Sequence, residues 1–261
     1  MDYGFIGYSI ILLLWNKEMI KYHGTPITPK EVFFKSMNDK NVLIPYTCLQ
    51  DLNKAFEVCN KIIIDNGAFT IWRKGINIEW NDYYDWIDSI YDKITNFFIP
   101  DVIDGTEKEN DKLISNYLLR YENDHKGIPV WHIDESLHRL SMLTDMFNYI
   151  AIGSAGEYRK LGTEKWHNRM DDAMTILCDK NGVPKVKIHM LRCLNSDIFL
   201  KYPFYSGDST NLAQNHSRYN SEKGSNDGWK ILLHKIEKYN SPKKYKFKNK
   251  IKQKSIFTKE S

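Results

Sequence analysis

Pro203-Phe-Tyr-Ser-Gly-Asp-Ser-Thr-Asn211 begins with β-prone residues (Phe204, Tyr205), loosens at Gly207 and then presents Asp208, Ser209, Thr210 and Asn211. An acid just past the carboxyl end of a strand, on a glycine-loosened turn, is where α/β barrels place catalytic groups. Lys61-Ile-Ile-Ile-Asp-Asn-Gly-Ala-Phe69 has the same design, a strand of the buried type that delivers Asp65 next to Gly67. Two carboxylates on two strand ends are the raw material for nucleophile-plus-acid/base chemistry at an acetal-like carbon.

Outward from these stretches the chain alternates strand and helix patterns, with no linker rich in Pro, Gly or Ser. Strands are expected at Ile20–Gly24, Asn41–Tyr46, Ile62–Phe69, Phe97–Ile103, Ile128–Ile133, Tyr149–Gly153, Val186–Leu191 and Tyr202–Ser206. Helices are expected at Gln50–Cys59, Trp80–Ile94, after the acidic start at Asp104, and at Ser136–Phe147, Thr163–Asp179 and Asp227–Tyr239. Eight strands with interleaved helices in this length predict a single-domain (β/α)8 TIM barrel. A doubly wound open sheet is the rival, but the first βα turn carries no glycine-rich phosphate loop. The barrel is expected over residues 20–240, between an extension at 1–19 and a basic tail at 241–261.

Composition narrows the class. The 261 residues are 42% hydrophobic, 27% charged and 13% aromatic, the balance of a soluble protein with an ample core. The net charge of +4 is mild, but Lys243–Lys254 (KKYKFKNKIKQK) holds seven lysines and no acid. Such a tail is either a solvated end or an electrostatic arm for a polyanion. Cys48, Cys59, Cys178 and Cys193 are scattered, without metal-finger spacing, so reduced thiols in the cytoplasm are expected. The run Ile10-Ile-Leu-Leu-Leu-Trp15 is too short to span a bilayer and lacks the flanks of a signal peptide.

In a barrel, the residues at the strand ends line one mouth: His23, Asp65 with Asn66, Asp101 with Asp104, His132 with Asp134 and Glu135, Ser154 with Gly156 and Glu157, His189 with Arg192, and Asp208 with Ser209. Each has a plainer reading as well. Asp104 and Glu135 fit helix starts, and His132 and His189, inside apolar strands, fit satisfied core histidines. A metal set of His23, His132, His189 and Asp208 is a further reading, weakened by the lack of an HxH pair on the first strand.

Four of these strand ends resemble tRNA-guanine transglycosylases. Ile64-Asp-Asn-Gly-Ala-Phe-Thr70 is similar to their Asp-Ser-Gly-Gly-Phe-Gln strand end, and Ile150-Ala-Ile-Gly-Ser-Ala-Gly-Glu157 to their Ile-Gly-Gly-x-x-x-Gly-Glu segment. His189-Met-Leu-Arg192 followed by Tyr205-Ser-Gly-Asp208 keeps the order of their last two strands, and Asp101 in Ile-Pro-Asp-Val stands where they keep a base-reading aspartate. The agreement runs over roughly residues 20–220. The chain also resembles small bacterial and phage proteins with His-Gly-Thr-Pro, Asp-Asn-Gly-Ala-Phe and Asp-Ser-Thr signatures.

The resemblance implies a nucleophile or oxocarbenium stabiliser at Asp208 and a general acid/base at Asp65. It implies a base pocket of Asp101, Asn66, Gly153, Ser154, Gly156 and Glu157, with no cofactor or metal. Phe69, Trp72, Trp131 and Tyr158 are candidates to stack on a flipped base, and His132 and His189 to line its pocket. Arg73, Arg192, Lys243, Lys244 and Lys246 are the candidates for the nucleic-acid backbone. The family's Cys₃His zinc segment has no counterpart, Asn66 and Ala68 replace small pocket residues, and Ser154 replaces a glycine. These departures favour DNA over tRNA. The expectation is a DNA glycosylase-type enzyme acting on a modified base such as those of phage DNA, with phage defence as one physiological setting. Guanine or deazaguanine exchange in tRNA or DNA is the alternative, and a metal-dependent barrel hydrolase the third reading.

Overall fold

The computed structural model describes residues 18–122, 125–221 and 227–248. The apolar run at 10–15 and the tail beyond 248 lie outside the described residues. Nine parallel strands form one nearly closed barrel: β1 (Ile20–Gly24), β2 (Asn41–Pro45), β3 (Lys61–Asp65), β4 (Asn96–Phe98), β5 (Gly127–Ile128), β6 (Val130–His132), β7 (Tyr149–Gly153), β8 (Lys187–Met190) and β9 (Ser206–Ser209). The helices that bear on the site are α1 (Lys30–Met37), α2 (Leu52–Val58), α3 (Ala68–Lys74), α4 (Trp80–Ile90), α5 (Glu107–Arg120), α6 (Leu137–Met146), α7 (Glu164–Leu177) and, near the carboxyl terminus, Gly228–Glu237.

The neighbour order is β5-β4-β3-β2-β1-β9-β8-β7-β6. The strand expected at Ile128–Ile133 is thus two pieces. Pro129 has no N–H to donate and interrupts the ladder. Its flanks still bond both ways: Ile99 N donates to Ile128 O and Ala151 N to Pro129 O, each at 2.9 Å. β5 and β6 together act as one stave, and the ring closes through them.

Side-chain alternation divides the core into two shells. Tyr22, Leu43, Ile63, Phe98, Ile128, Val130, Tyr149 and Ala151 fill the barrel interior. Ile62, Ile64, Phe97, Trp131, Ile150, Ile152 and Ile188 point outward against Phe33, Tyr83, Ile87, Leu140, Trp166 and Trp229 of the helices. This parity decides which polar residues reach the mouth. Ile63 faces in, so Asp65 two residues on does too; Val130 carries His132 inward in the same way. The register pairs Ala151 with His189 and Tyr22 with Asp208, placing both inside.

Several strand bounds differ from expectation, and the fourth strand ends at Phe98 rather than Ile103, so Asp101 lies in the loop beyond it. The last strand starts at Ser206, not Tyr202, so Asp208 sits within the strand and Gly207 does not break it. A Cβ at Gly207 would lie 2.8 Å from Cys193 O, so glycine here permits a close backbone approach. The third strand stops at Asp65 rather than Phe69: Gly67 is left-handed (φ 79°) and Asn66 Oδ1 takes the Ala68 N–H at 2.8 Å, which turns the chain into α3. α1 had no counterpart in the sequence reading.

The chain after the last helix crosses the amino-terminal end of the barrel. Tyr245 N donates to Gly182 O at 2.8 Å, in the turn that precedes β8, and its ring stacks on Tyr202 at 6.0 Å. Lys248 Nζ is 2.5 Å from Asp171 Oδ2. Lys243, Lys244 and Lys246 therefore start the tail at the end opposite the mouth. Among the described residues, no helix is long and apolar enough to cross a membrane.

Candidate active site

Asp208 is buried at the top of β9, and its two donors among the described residues bind the same oxygen. His189 Nε2 lies 3.1 Å from Oδ1 and the Arg192 backbone N–H donates to Oδ1 at 2.9 Å. Arg192 aims that N–H from a left-handed backbone (φ 56°), a conformation that costs a non-glycine residue about 1 kcal/mol or more. Its guanidinium donates to Ser154 O at 3.0 Å, which ties the loop after β8 to the one after β7.

Asp65 shares the mouth with Asp208 and Asp101. Part of its surface stays open, but the surrounding protein excludes water from most of the carboxyl. That desolvation, followed by the charges of Asp208 and Asp101, pushes its pKa up to about 7, against the Gly67 N–H hydrogen bond and the Arg192 charge. An acid that stays protonated near neutrality beside a second carboxylate is the arrangement by which active sites separate acid from nucleophile.

A third cluster closes one side of the mouth. Asn66 Nδ2 donates to Asp101 Oδ1 at 2.7 Å and to Ile99 O at 2.8 Å. Asp101 Oδ2 lies 2.8 Å from His132 Nε2. Behind His132, Glu135 accepts from the His132 N–H at 2.9 Å, from Asn110 at 3.0 Å and from Arg139 at 2.5 Å. Burial works against the His132 charge, but the Asp101 hydrogen bond and the neighbouring carboxylates outweigh it, so its pKa is raised. Gly153 belongs to the same packing, because a Cβ there would come within 3.0 Å of the His132 ring. Asn110 and Arg139 escaped the sequence reading, since single polar residues inside helix patterns carry no local signal.

α3 forms the rim. Phe69 and Trp72 are 41% and 46% exposed, with ring centroids 5.7 Å apart. The Arg192 guanidinium lies 5.0 Å and that of Arg73 5.9 Å from the Phe69 ring. Flat aromatic surface and cationic groups thus meet at the edge of the acidic mouth.

Several expected site residues lie elsewhere. His23 faces outward: Tyr22 takes the interior position, and His23 Nε2 is 2.9 Å from Glu237 Oε1 on the last helix. The set His23, His132, His189 and Asp208 is therefore not assembled, and no metal-binding group of three or more His, Cys, Asp or Glu occurs among the described residues. Trp131 is fully buried and outward, with Nε1 donating to Ser136 O at 3.2 Å, so it has no face to offer a base. Glu157 is exposed and ion-paired with Lys165. Ser154 turns its hydroxyl away to accept from Trp166 Nε1 at 3.0 Å. Gly156 (φ 53°) packs so tightly on Asp134 that a Cβ would collide with the carboxylate.

Solved structures share this architecture. Two mutant tryptophan synthase α subunits from Pyrococcus furiosus superpose with TM-scores of 0.50 and 0.51 at 13% identity, covering 84% of this chain and 96% of theirs. The fold is a TIM barrel. The same comparison with the tryptophan synthase α₂β₂ complex of that organism gives a TM-score of 0.50. At this identity the likeness carries the TIM barrel alone and not the reaction. No protein-family model and no curated protein matches the sequence, so the resemblance to tRNA-guanine transglycosylases rests on the motif residues.

Proposed function

We propose that the protein releases a nucleobase from nucleic acid by cleaving its N-glycosidic bond. The observation that carries this reading is the meeting of Asp65 and Asp208 in one mouth, where burial and the Asp208 charge push the Asp65 pKa up to about 7. Asp208 attacks C1′ as the C1′–N bond breaks, or stabilises the oxocarbenium ion formed there. The bonding pair leaves with the base, which takes the Asp65 proton. Water then attacks C1′, gives its proton to the Asp65 carboxylate and frees Asp208, which returns both groups to their starting state.

The base has to leave its stack to reach these atoms. Phe69 and Trp72 supply rings for it, and Asp101, its carboxylate oriented by Asn66 and His132, reads its edge. Each Asp101 oxygen retains a lone pair beyond its bond to Asn66 or His132. With the lysines of 243–246 at the far end of the barrel, the phosphate contacts fall to Arg73 and Arg192. DNA is the substrate class in this reading, because the zinc segment of the tRNA-modifying family has no counterpart in the sequence.

The test is incubation of the full-length protein with single-stranded DNA of mixed sequence and with phage DNA bearing modified bases. Free base together with abasic sites is the expected product, and Asp208→Asn, nearly isosteric, is expected to abolish it. Incorporation of labelled deazaguanine without abasic sites assigns base exchange instead. An Asp208→Asn variant with full activity removes Asp208 from the mechanism.

A further inference from the structure

Below Asp208 a line of polar side chains descends the barrel interior. Tyr149 Oη lies 2.6 Å from Ser206 Oγ, Ser206 Oγ lies 2.7 Å from His189 Nδ1, and His189 Nε2 lies 3.1 Å from Asp208 Oδ1. His189 is fully buried, and Tyr22, Phe98 and Tyr149 surround its ring at centroid distances of 6.0, 5.2 and 6.5 Å. It cannot touch a substrate in the mouth. Rather than lining the base pocket, as expected, it lies under the carboxylate.

Hydrogen-bond accounting fixes the direction of the chain. Burial raises the Tyr149 pKa, so the phenol keeps its proton, and Ser206 Oγ is its one hydrogen-bond partner among the described residues. A buried hydroxyl proton left without an acceptor is costly, so Tyr149 donates to Ser206. The Ser206 proton then goes to His189 Nδ1, which must present its lone pair. That leaves the imidazole hydrogen on Nε2, directed at Asp208 Oδ1.

Both Asp208 donors converge on Oδ1. Oδ2 has no hydrogen bond among the described residues, yet it is not among the buried polar atoms left unpartnered, so it keeps access to the mouth. We infer that His189, locked as the Nε2–H tautomer by Ser206 and Tyr149, is a positioning residue that anchors Asp208 through Oδ1 and presents Oδ2 as the reacting oxygen. The relay moves no proton in the reaction; it fixes which oxygen faces C1′ and holds it there. The positioning role rests on the proposed base-releasing reaction, whereas the tautomer is a property of the protein alone.

The test therefore has two arms. The first is ¹⁵N NMR of histidine-labelled full-length protein without substrate. It is expected to show His189 as the Nε2–H tautomer, with the lock loosened in Ser206→Ala; an Nδ1–H tautomer overturns the inference. The second measures base release from the DNA substrates named above. Ser206→Ala is expected to lower kcat about tenfold, and His189→Leu, which removes the donor, about a hundredfold, with KM within about twofold in both. His189→Gln, which keeps a side-chain donor, is expected to recover most of the loss. Equal losses in His189→Gln and His189→Leu, or changes confined to KM, reject the positioning role. If the wild-type protein releases no base, the proposed reaction fails while the tautomer measurement still judges the relay.

Discussion

His132 Nε2 lies 2.8 Å from Asp101 Oδ2, with both side chains buried at the mouth of the barrel and Asn66 holding the other oxygen of the same carboxylate at 2.7 Å. The pair shifts the His132 titration away from that of the unfolded chain. His132 has a folded-state pKa raised above its usual 6.5. Its contribution to stability is fully present below the unfolded value and lost as pH rises through the folded one. The urea midpoint of the wild-type protein relative to His132→Gln should therefore be higher near pH 6 and decline toward pH 9. His167, whose pKa is lowered by burial and by Lys201, works in the opposite sense. The difference between the two proteins isolates His132.

Asp65 has the same pH dependence for a different reason: burial disfavours its charged form and raises its pKa to about 7. Between the ordinary value of 3.8 and about 7 the folded state holds a proton that the unfolded state has released, so stability falls as pH rises through this window. Asp65→Asn should be inactive in base release yet more stable than wild type at pH 8. The expected gain is about 1–2 kcal/mol, since a tenfold change in proton affinity is about 1.4 kcal/mol and water at the open mouth screens part of the effect. Denaturant unfolding at pH 8 measures it, and a destabilised Asp65→Asn would show that the carboxylate is structural.

The same residue sets an alkaline limit on catalysis. As a general acid, Asp65 must be protonated in the free enzyme, so kcat/KM should fall about tenfold per pH unit above about 7. A profile flat from pH 6 to 9 would take Asp65 out of the acid role.

The rim and the tail give contrasting expectations for nucleic-acid contact. Phe69→Ala and Trp72→Ala should each weaken single-stranded DNA binding by about 1–3 kcal/mol, the range for loss of a base stack. Arg73→Ala should weaken it across all sequences and reduce the slope of log K against log salt by about 1. Replacing Lys243, Lys244 and Lys246 together with alanine should leave affinity at the mouth nearly unchanged, because these lysines follow from the amino-terminal end of the barrel. Fluorescence anisotropy over a salt series reads all of these, and a tail variant weaker than Arg73→Ala would reverse the assignment.

What the sequence determined by itself was local. Alternation of strand and helix patterns gave the barrel, with β1 and β7 found at their expected bounds, because residue propensity and side-chain period act within a few residues. Glycine punctuation picked out Asp65 as a strand-end acid for the same reason, whereas Gly207 lies inside the strand that carries Asp208. The tertiary structure decided which polar residues meet. His23 and His189 look alike in sequence, each a histidine in an apolar strand, but the strand parity turns one outward to Glu237 and the other inward beneath Asp208. Asp101 and His132 lie 31 residues apart and become partners only because β4 pairs with β5, which continues past Pro129 into β6. The Asp65 pKa likewise follows from the charges and exclusion of water that three strand ends create together. These are consequences of inter-strand register and burial, which depend on contacts between segments remote in the chain.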